Sequence, residues 1–71
     1  MKLYEHRDIH GHLIDWWTQR NEKGYCFSIS YDDGKYFVII NPDDANRRIF
    51  AVTRTFADAE EYLQKAVKIY S

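Results

Sequence analysis

The sequence contains a single cysteine, a single proline and three glycines, and it has no long run of apolar residues. With Cys26 alone, no internal disulfide can form, and a lone thiol is typical of proteins in a reducing compartment. The first residues, MKLYEHRDIHGHL, lack the apolar core of a signal peptide, and no run approaches the length of a membrane span. We therefore expect a cytoplasmic protein that does not interact with a membrane.

The sequence also lacks an excess of one charge. It contains 10 Lys and Arg residues and 11 Asp and Glu residues, which gives a formal net charge of −1. These charges are spread along the chain, without the basic block that attracts nucleic acids or acidic membranes. A length of 71 residues predicts one domain, residues 1–71, that buries only about 60% of its unfolded surface. The aromatic share of 17% helps so small a core to reach adequate burial.

The first segment, RDIHGHLIDWWTQRNEKG, predicts a helix. Its apolar residues Ile9, Leu13 and Trp16 follow the i, i+4, i+7 spacing of one helical face. Asp8 is a suitable N-cap, and Gly24 is a suitable residue to end the helix. We therefore expect an amphipathic helix that ends at Lys23 and begins either after Asp8 or at His12, because Gly11 is unfavourable inside a helix.

From Tyr25 onward the apolar period changes to two, which predicts a strand. The pair Asp33-Gly34 then predicts a tight hairpin turn. A two-residue turn at this place pairs Phe27 with Ile40, Ile29 with Val38, Tyr31 with Tyr36 and Asp32 with Lys35. The same register places Phe37 and Ile39 on the other face of the hairpin, opposite Ser30 and Ser28.

The remaining sequence predicts a loop, a third strand and a second helix. NPDDAN favours a loop, and RRIFAVTRTF is rich in β-branched and aromatic residues, with Phe50 and Val52 expected to point inward because of their size. In the last segment Thr55 and Asp58 are suited to cap a helix whose apolar residues follow helical spacing. The predicted fold is α+β, in the order α-β-β-β-α, with a three-stranded antiparallel sheet and two helices packed on one face.

Candidate catalytic and metal-binding residues have simpler structural interpretations. His6, His10 and His12 lie close together in the sequence, but no paired-cysteine or HExxH motif accompanies them. Cys26 is mid-strand and has no local motif that would activate a nucleophile. We therefore expect no enzymatic activity, no bound metal and no cofactor.

The predicted element order resembles that of the double-stranded-RNA-binding domain, and residues 25–70 resemble the arm-DNA-binding domains of phage-type integrases. The RNA-binding family places lysines at the start of its final helix, whereas the corresponding stretch here, TFADAEE, is acidic. The integrase-like mode implies a basic open sheet face, for which Arg47, Arg48 and Arg54 are the candidates. Nucleic-acid binding through the second and third predicted strands is therefore the alternative hypothesis.

The favoured hypothesis is a non-enzymatic protein-interaction module that binds a protein partner or a second copy of itself. An apolar centre with arginines at its rim has the composition of an interface. The expected contact residues are Phe37, Ile39, Ile49, Arg47, Arg48 and Trp17. In size and style the chain resembles small phage or mobile-element inhibitors, including anti-CRISPR proteins, which implies inhibition of a host protein by occupying its surface. The sequence leaves open whether residues 1–7 cover this face instead.

Overall fold

Within residues 2–71, five antiparallel strands form one sheet in chain order, and a single helix follows them. The strands are β1 (Tyr4–Arg7), β2 (Leu13–Trp17), β3 (Phe27–Asp32), β4 (Lys35–Ile40) and β5 (Arg48–Thr53). Helix α1 (Phe56–Ile69) packs against β3, β4 and β5 on one face of the sheet. The structure, a computed structural model, describes residues 2–71. The chain is thus an α+β protein with an antiparallel sheet.

The predicted three-stranded sheet with two helices is wrong, because the segment predicted as the first helix forms a turn and strand β2, which pairs with β1 before it. Asp8 accepts hydrogen bonds from the backbone N–H groups of His10 and His12, and Gly11 has a φ of +82°, so this stretch turns back on itself. The side chain of Ile9, which began the supposed helical stripe, is 95% exposed. The helical spacing was therefore coincidental.

The predicted β3–β4 hairpin is confirmed in all six of its cross-strand pairs, from Phe27–Ile40 to Asp32–Lys35. Asp33 and Gly34 both have positive φ angles, +51° and +75°. A type I′ turn requires this conformation at both central residues, and its twist matches that of the flanking strands.

The C-terminal helix is also confirmed, together with its cap. The hydroxyl of Thr55 accepts a hydrogen bond from the backbone N–H of Asp58. The helix buries Ala59, Leu63 and Ala66, which are spaced at i, i+4 and i+7. These residues meet a group of buried sheet residues, and together they form the core: Phe27, Ile29, Val38 and Ile40.

Strand β5 contains an irregularity that changes which of its side chains point inward. The register between β4 and β5 shifts between Val38 and Ile39, so Phe50 and Ala51 both face α1. Val52 pairs with Phe37 and points away from the helix. The prediction that Val52 points inward is therefore wrong, whereas Phe50 packs against the core as expected.

Candidate protein-binding face

The face of the sheet opposite α1, called here the outer face, carries two rows of side chains that cross all five strands. Each row follows from the residues that pair directly on neighbouring strands. One row contains Tyr4, Trp17, Ser28, Ile39 and Ile49. The other contains His6, Asp15, Ser30, Phe37 and Val52. The outer face is thus polar toward β1 and apolar toward β5.

The apolar end, called here the outer patch, consists of Phe37, Ile39, Ile49 and Val52. Ile49 is 56% exposed and Val52 is 51% exposed, while Phe37 is half-buried and Ile39 is buried among its neighbours. All four side chains sit on paired strands, so their positions are held by the backbone ladder. The patch is therefore a preformed apolar surface, with β5 at its margin.

The polar end is organised around Asp15, whose side chain is buried. One carboxylate oxygen, Oδ1, accepts a hydrogen bond from the indole N–H of Trp17 and lies 3.0 Å from Nδ1 of His6. The His6 ring also meets the edge of the Trp17 ring, with 6.0 Å between centroids. Asp15 thereby ties β1 to β2.

Ser28 lies in the middle of the outer face, between Trp17 and Ile39 in its row. It is completely buried, and its hydroxyl has no hydrogen-bond partner among residues 2–71. A buried hydroxyl without a partner costs about 1–3 kcal/mol. Its larger neighbours also shield it from solvent, so it is not an accessible nucleophile in this arrangement.

Cys26 precedes β3 and contacts the loop that follows β4. Its Sγ lies 3.6 Å from the Asp43 carboxylate, which also forms an ion pair of 3.0 Å with Arg20. Burial raises the pKa of the Cys26 thiol, Arg20 opposes this effect, and Asp43 adds to it. The thiol is therefore protonated and unreactive at neutral pH.

We expect Cys26 to react slowly with a thiol-specific reagent at neutral pH in the folded protein and quickly in urea. Because the pKa is raised, the folded state holds the thiol proton more tightly than the unfolded chain does. The free energy of unfolding is then insensitive to this group below its ordinary pKa and falls as the pH rises through the raised value. Thiol-modification rates measured against pH check the reactivity, with Asp43→Asn expected to react faster, and urea unfolding at several pH values checks the stability. Equal rates in folded and unfolded protein would contradict it.

The structure brings four of the six expected contact residues onto the outer face: Phe37, Ile39, Ile49 and Trp17. Arg48 pairs with Ile40 and places its guanidinium 5.9 Å from the centre of the Tyr70 ring, on the helix side. Arg47 is exposed in the loop before β5.

Residues 4–7 do not lie over the outer patch. They form β1, which pairs with β2 and is separated from β4 by β2 and β3. The sequence left open whether residues 1–7 cover this face, and Met1 lies outside the described residues. Residues 4–7 extend the sheet and lengthen the outer face, whereas Leu3 packs against the core.

The three histidines are divided between two places. His6 belongs to the outer face, whereas His10 and His12 lie at the tip of the β1–β2 hairpin with 6.2 Å between their ring centroids. Across residues 2–71, no group of three or more His, Cys, Asp or Glu side chains is arranged to hold a metal ion.

Comparison of the chain with protein-family models, curated proteins and solved structures gave no match. In the part of the chain that the structure describes, no helix combines the length and the apolar character needed to cross a membrane.

Proposed function

We propose that this chain is a non-enzymatic protein-interaction module that binds a partner protein through the outer patch. The observation that carries the proposal is the exposure of Ile49 and Val52 beside Phe37 on the sheet face opposite α1. Contiguous apolar side chains on a rigid surface are typical of protein interfaces. Such a surface binds with little loss of conformational freedom because its strands are already ordered.

The charges around the patch indicate the chemistry of the partner. Lys35 lies at the start of β4 directly opposite the exposed Asp32, and Arg47 is exposed next to the start of β5, so the margin of the patch carries charges of both signs. A complementary partner surface has an apolar centre and charged residues of both signs at its rim. Occupying such a surface blocks other proteins from it, which is the mode of action that we propose for this chain, as in small phage-encoded inhibitors.

The arrangement of the arginines favours a protein partner over nucleic acid. Arg48 lies on the helix side of β5, and the exposed outer side chains of β5 are Ile49 and Val52. Nucleic-acid affinity depends on several cations that follow a phosphate backbone. The outer patch offers apolar contacts instead.

Affinity capture from cells of the source organism, with mass spectrometry of the retained proteins, tests the proposal. Wild-type protein is compared with the double variant Ile49→Ser, Val52→Ser, and with the control Ile14→Ser. Ile14 is 46% exposed and lies on β2, outside the patch, so the control removes an aliphatic side chain of comparable exposure. We expect a protein retained by the wild type and by the control, and lost with the double variant.

Three outcomes would overturn the proposal. One is a retained protein that the double variant binds equally well. Another is a dimer of the purified chain, seen by light scattering, that the double variant dissociates. The third is a salt-dependent gel shift with duplex RNA or DNA that is abolished by Arg47→Glu, Arg54→Glu.

A further inference from the structure

A second apolar surface lies on the opposite side of β5, where the strand borders α1. Phe50, Tyr62 and Ile69 line a groove of about 320 Å³, with Lys65 and Lys68 at its margin. Ile69 is 65% exposed and Tyr62 is 41% exposed. These side chains are separate from the outer patch, because β5 points Ile49 and Val52 the other way.

The groove runs beside an edge strand, β5, whose free edge can form backbone hydrogen bonds with another strand. Among the described strands, β5 has only β4 as a neighbour, so its other edge lacks a strand partner. An extended peptide adds to such an edge through main-chain hydrogen bonds and places alternate side chains in a groove next to it. The other edge strand, β1, is less suitable because its Glu5 and Arg7 side chains form an exposed ion pair along it.

Four cations lie around this groove and β5, and two carboxylates, Asp58 and Glu61, lie beside Arg54 and Lys65. Lys65 and Lys68 lie on α1, and Arg48 and Arg54 stand at the two ends of β5. Within residues 2–71, none of these four cations takes part in an ion pair. Arg48 and Lys65 instead lie over the rings of Tyr70 and Tyr62. Each of these four cations can therefore pair with a carboxylate of a ligand without first breaking an ion pair within the chain.

We propose that β5 and this groove bind an extended acidic peptide segment of another protein as a sixth strand of the sheet. An apolar side chain of the peptide packs against Phe50, Tyr62 and Ile69. Neighbouring Asp or Glu residues of the peptide face Lys65 and Lys68. The peptide backbone pairs with the free edge of β5.

Charge argues against a second copy of this chain as the occupant. When β5 pairs antiparallel with β5 of a second copy about the middle of the strand, Phe50 lies opposite Ala51 of that copy, and Arg47 lies opposite its Arg54. Like charges directly opposite each other destabilise a strand pair. An acidic strand has the opposite effect at the same positions. The apolar lining likewise favours a peptide over a nucleic-acid strand, which needs a continuous basic track.

Selection of a random peptide library on the immobilised protein tests this inference. We expect enriched peptides that carry Asp or Glu beside alternating apolar residues. Fluorescence anisotropy of an enriched peptide is expected to show about tenfold weaker binding to Lys65→Glu, Lys68→Glu, as two lost surface ion pairs with reversed charge imply. The matched control Lys2→Glu, Arg7→Glu changes the net charge equally at the other edge of the sheet, beside and within β1. Ile69→Ser, at an exposed position, removes an apolar contact with little expected effect on folding.

The outcomes separate this site from the outer patch. Peptide binding that is weakened by the groove variants and unchanged by Ile49→Ser, Val52→Ser supports the inference. This result does not depend on whether the outer patch binds a partner protein. No enrichment, or peptides without acidic residues, would overturn it. So would binding that depends on Ile49 and Val52, dimers that the groove variants dissociate, or labelled single-stranded DNA that binds the groove more tightly than the peptides do.

Discussion

Replacing Phe27 with alanine is expected to lower the free energy of unfolding by about 3–5 kcal/mol. Phe27 is 1% exposed and is the largest of the fully buried side chains. It pairs with Ile40 across β3 and β4 and faces the Tyr70 ring, with 6.4 Å between centroids. A domain of this size has about 5–15 kcal/mol of stability at most, so this single cavity removes a large share of it.

Urea unfolding followed by circular dichroism measures this effect. The control is Ile69→Ala, which shortens an apolar side chain that is 65% exposed. We expect the control to change the stability by less than about 0.5 kcal/mol. A Phe27→Ala variant as stable as this control would show that the core is not centred on the interface between α1 and β3–β4.

Replacing Asp15 with alanine is expected to cost about 2–3 kcal/mol and to loosen β1. The substitution removes the acceptor for the Trp17 indole and the partner of His6, and a hydrogen bond to a charged group contributes about 1.5–3 kcal/mol. It also removes the side-chain link between β1 and β2. Amide hydrogen exchange at residues 4–7 is therefore expected to become faster, while exchange within α1 changes less.

Two controls refine the Asp15 experiment. Asp15→Asn keeps a carbonyl oxygen that can accept from Trp17, so its cost is expected to be smaller. Asp32→Ala removes an exposed carboxylate beside the β3–β4 turn and is expected to have little effect. Equal stability of Asp15→Ala and Asp32→Ala would show that the carboxylate does not hold the β1–β2 hairpin together.

The parts of the fold that the sequence predicted are those encoded by local chemistry. Asp33-Gly34 allows the positive φ angles of a type I′ turn, which set the β3–β4 register. Thr55 and Asp58 together mark the start of α1. Both signals act between neighbouring residues and do not depend on distant parts of the chain.

The first segment was wrongly predicted to be a helix, because Ile9, Leu13 and Trp16 follow helical spacing by chance. The adjacent pair Trp16 and Trp17 fits a strand equally well, since successive strand residues point to opposite faces. In the structure Trp16 packs against Phe56 and Trp17 lies on the outer face. Pairing of β2 with β3 decides between the two readings, and that contact is not local.

The candidate site was predicted only where it depends on the β3–β4 hairpin. The register placed Phe37 and Ile39 on the outer face, as the structure does. Val52 was assigned to the wrong face because the irregularity beside Val38 changes the alternation along β5. The contacts of Asp15 with His6 and Trp17 were not predicted, because they require the β1–β2 pairing.

We propose that the outer patch binds a partner protein. Methyl NMR of the isoleucine and valine side chains, during titration with the captured partner, tests it most directly because these residues occur on several surfaces of the molecule. We expect the Ile39, Ile49 and Val52 methyl signals to shift, and those of Ile14 and Ile69 to stay in place. Shifts confined to Ile14 or Ile69, with the patch signals unchanged, would contradict the claim.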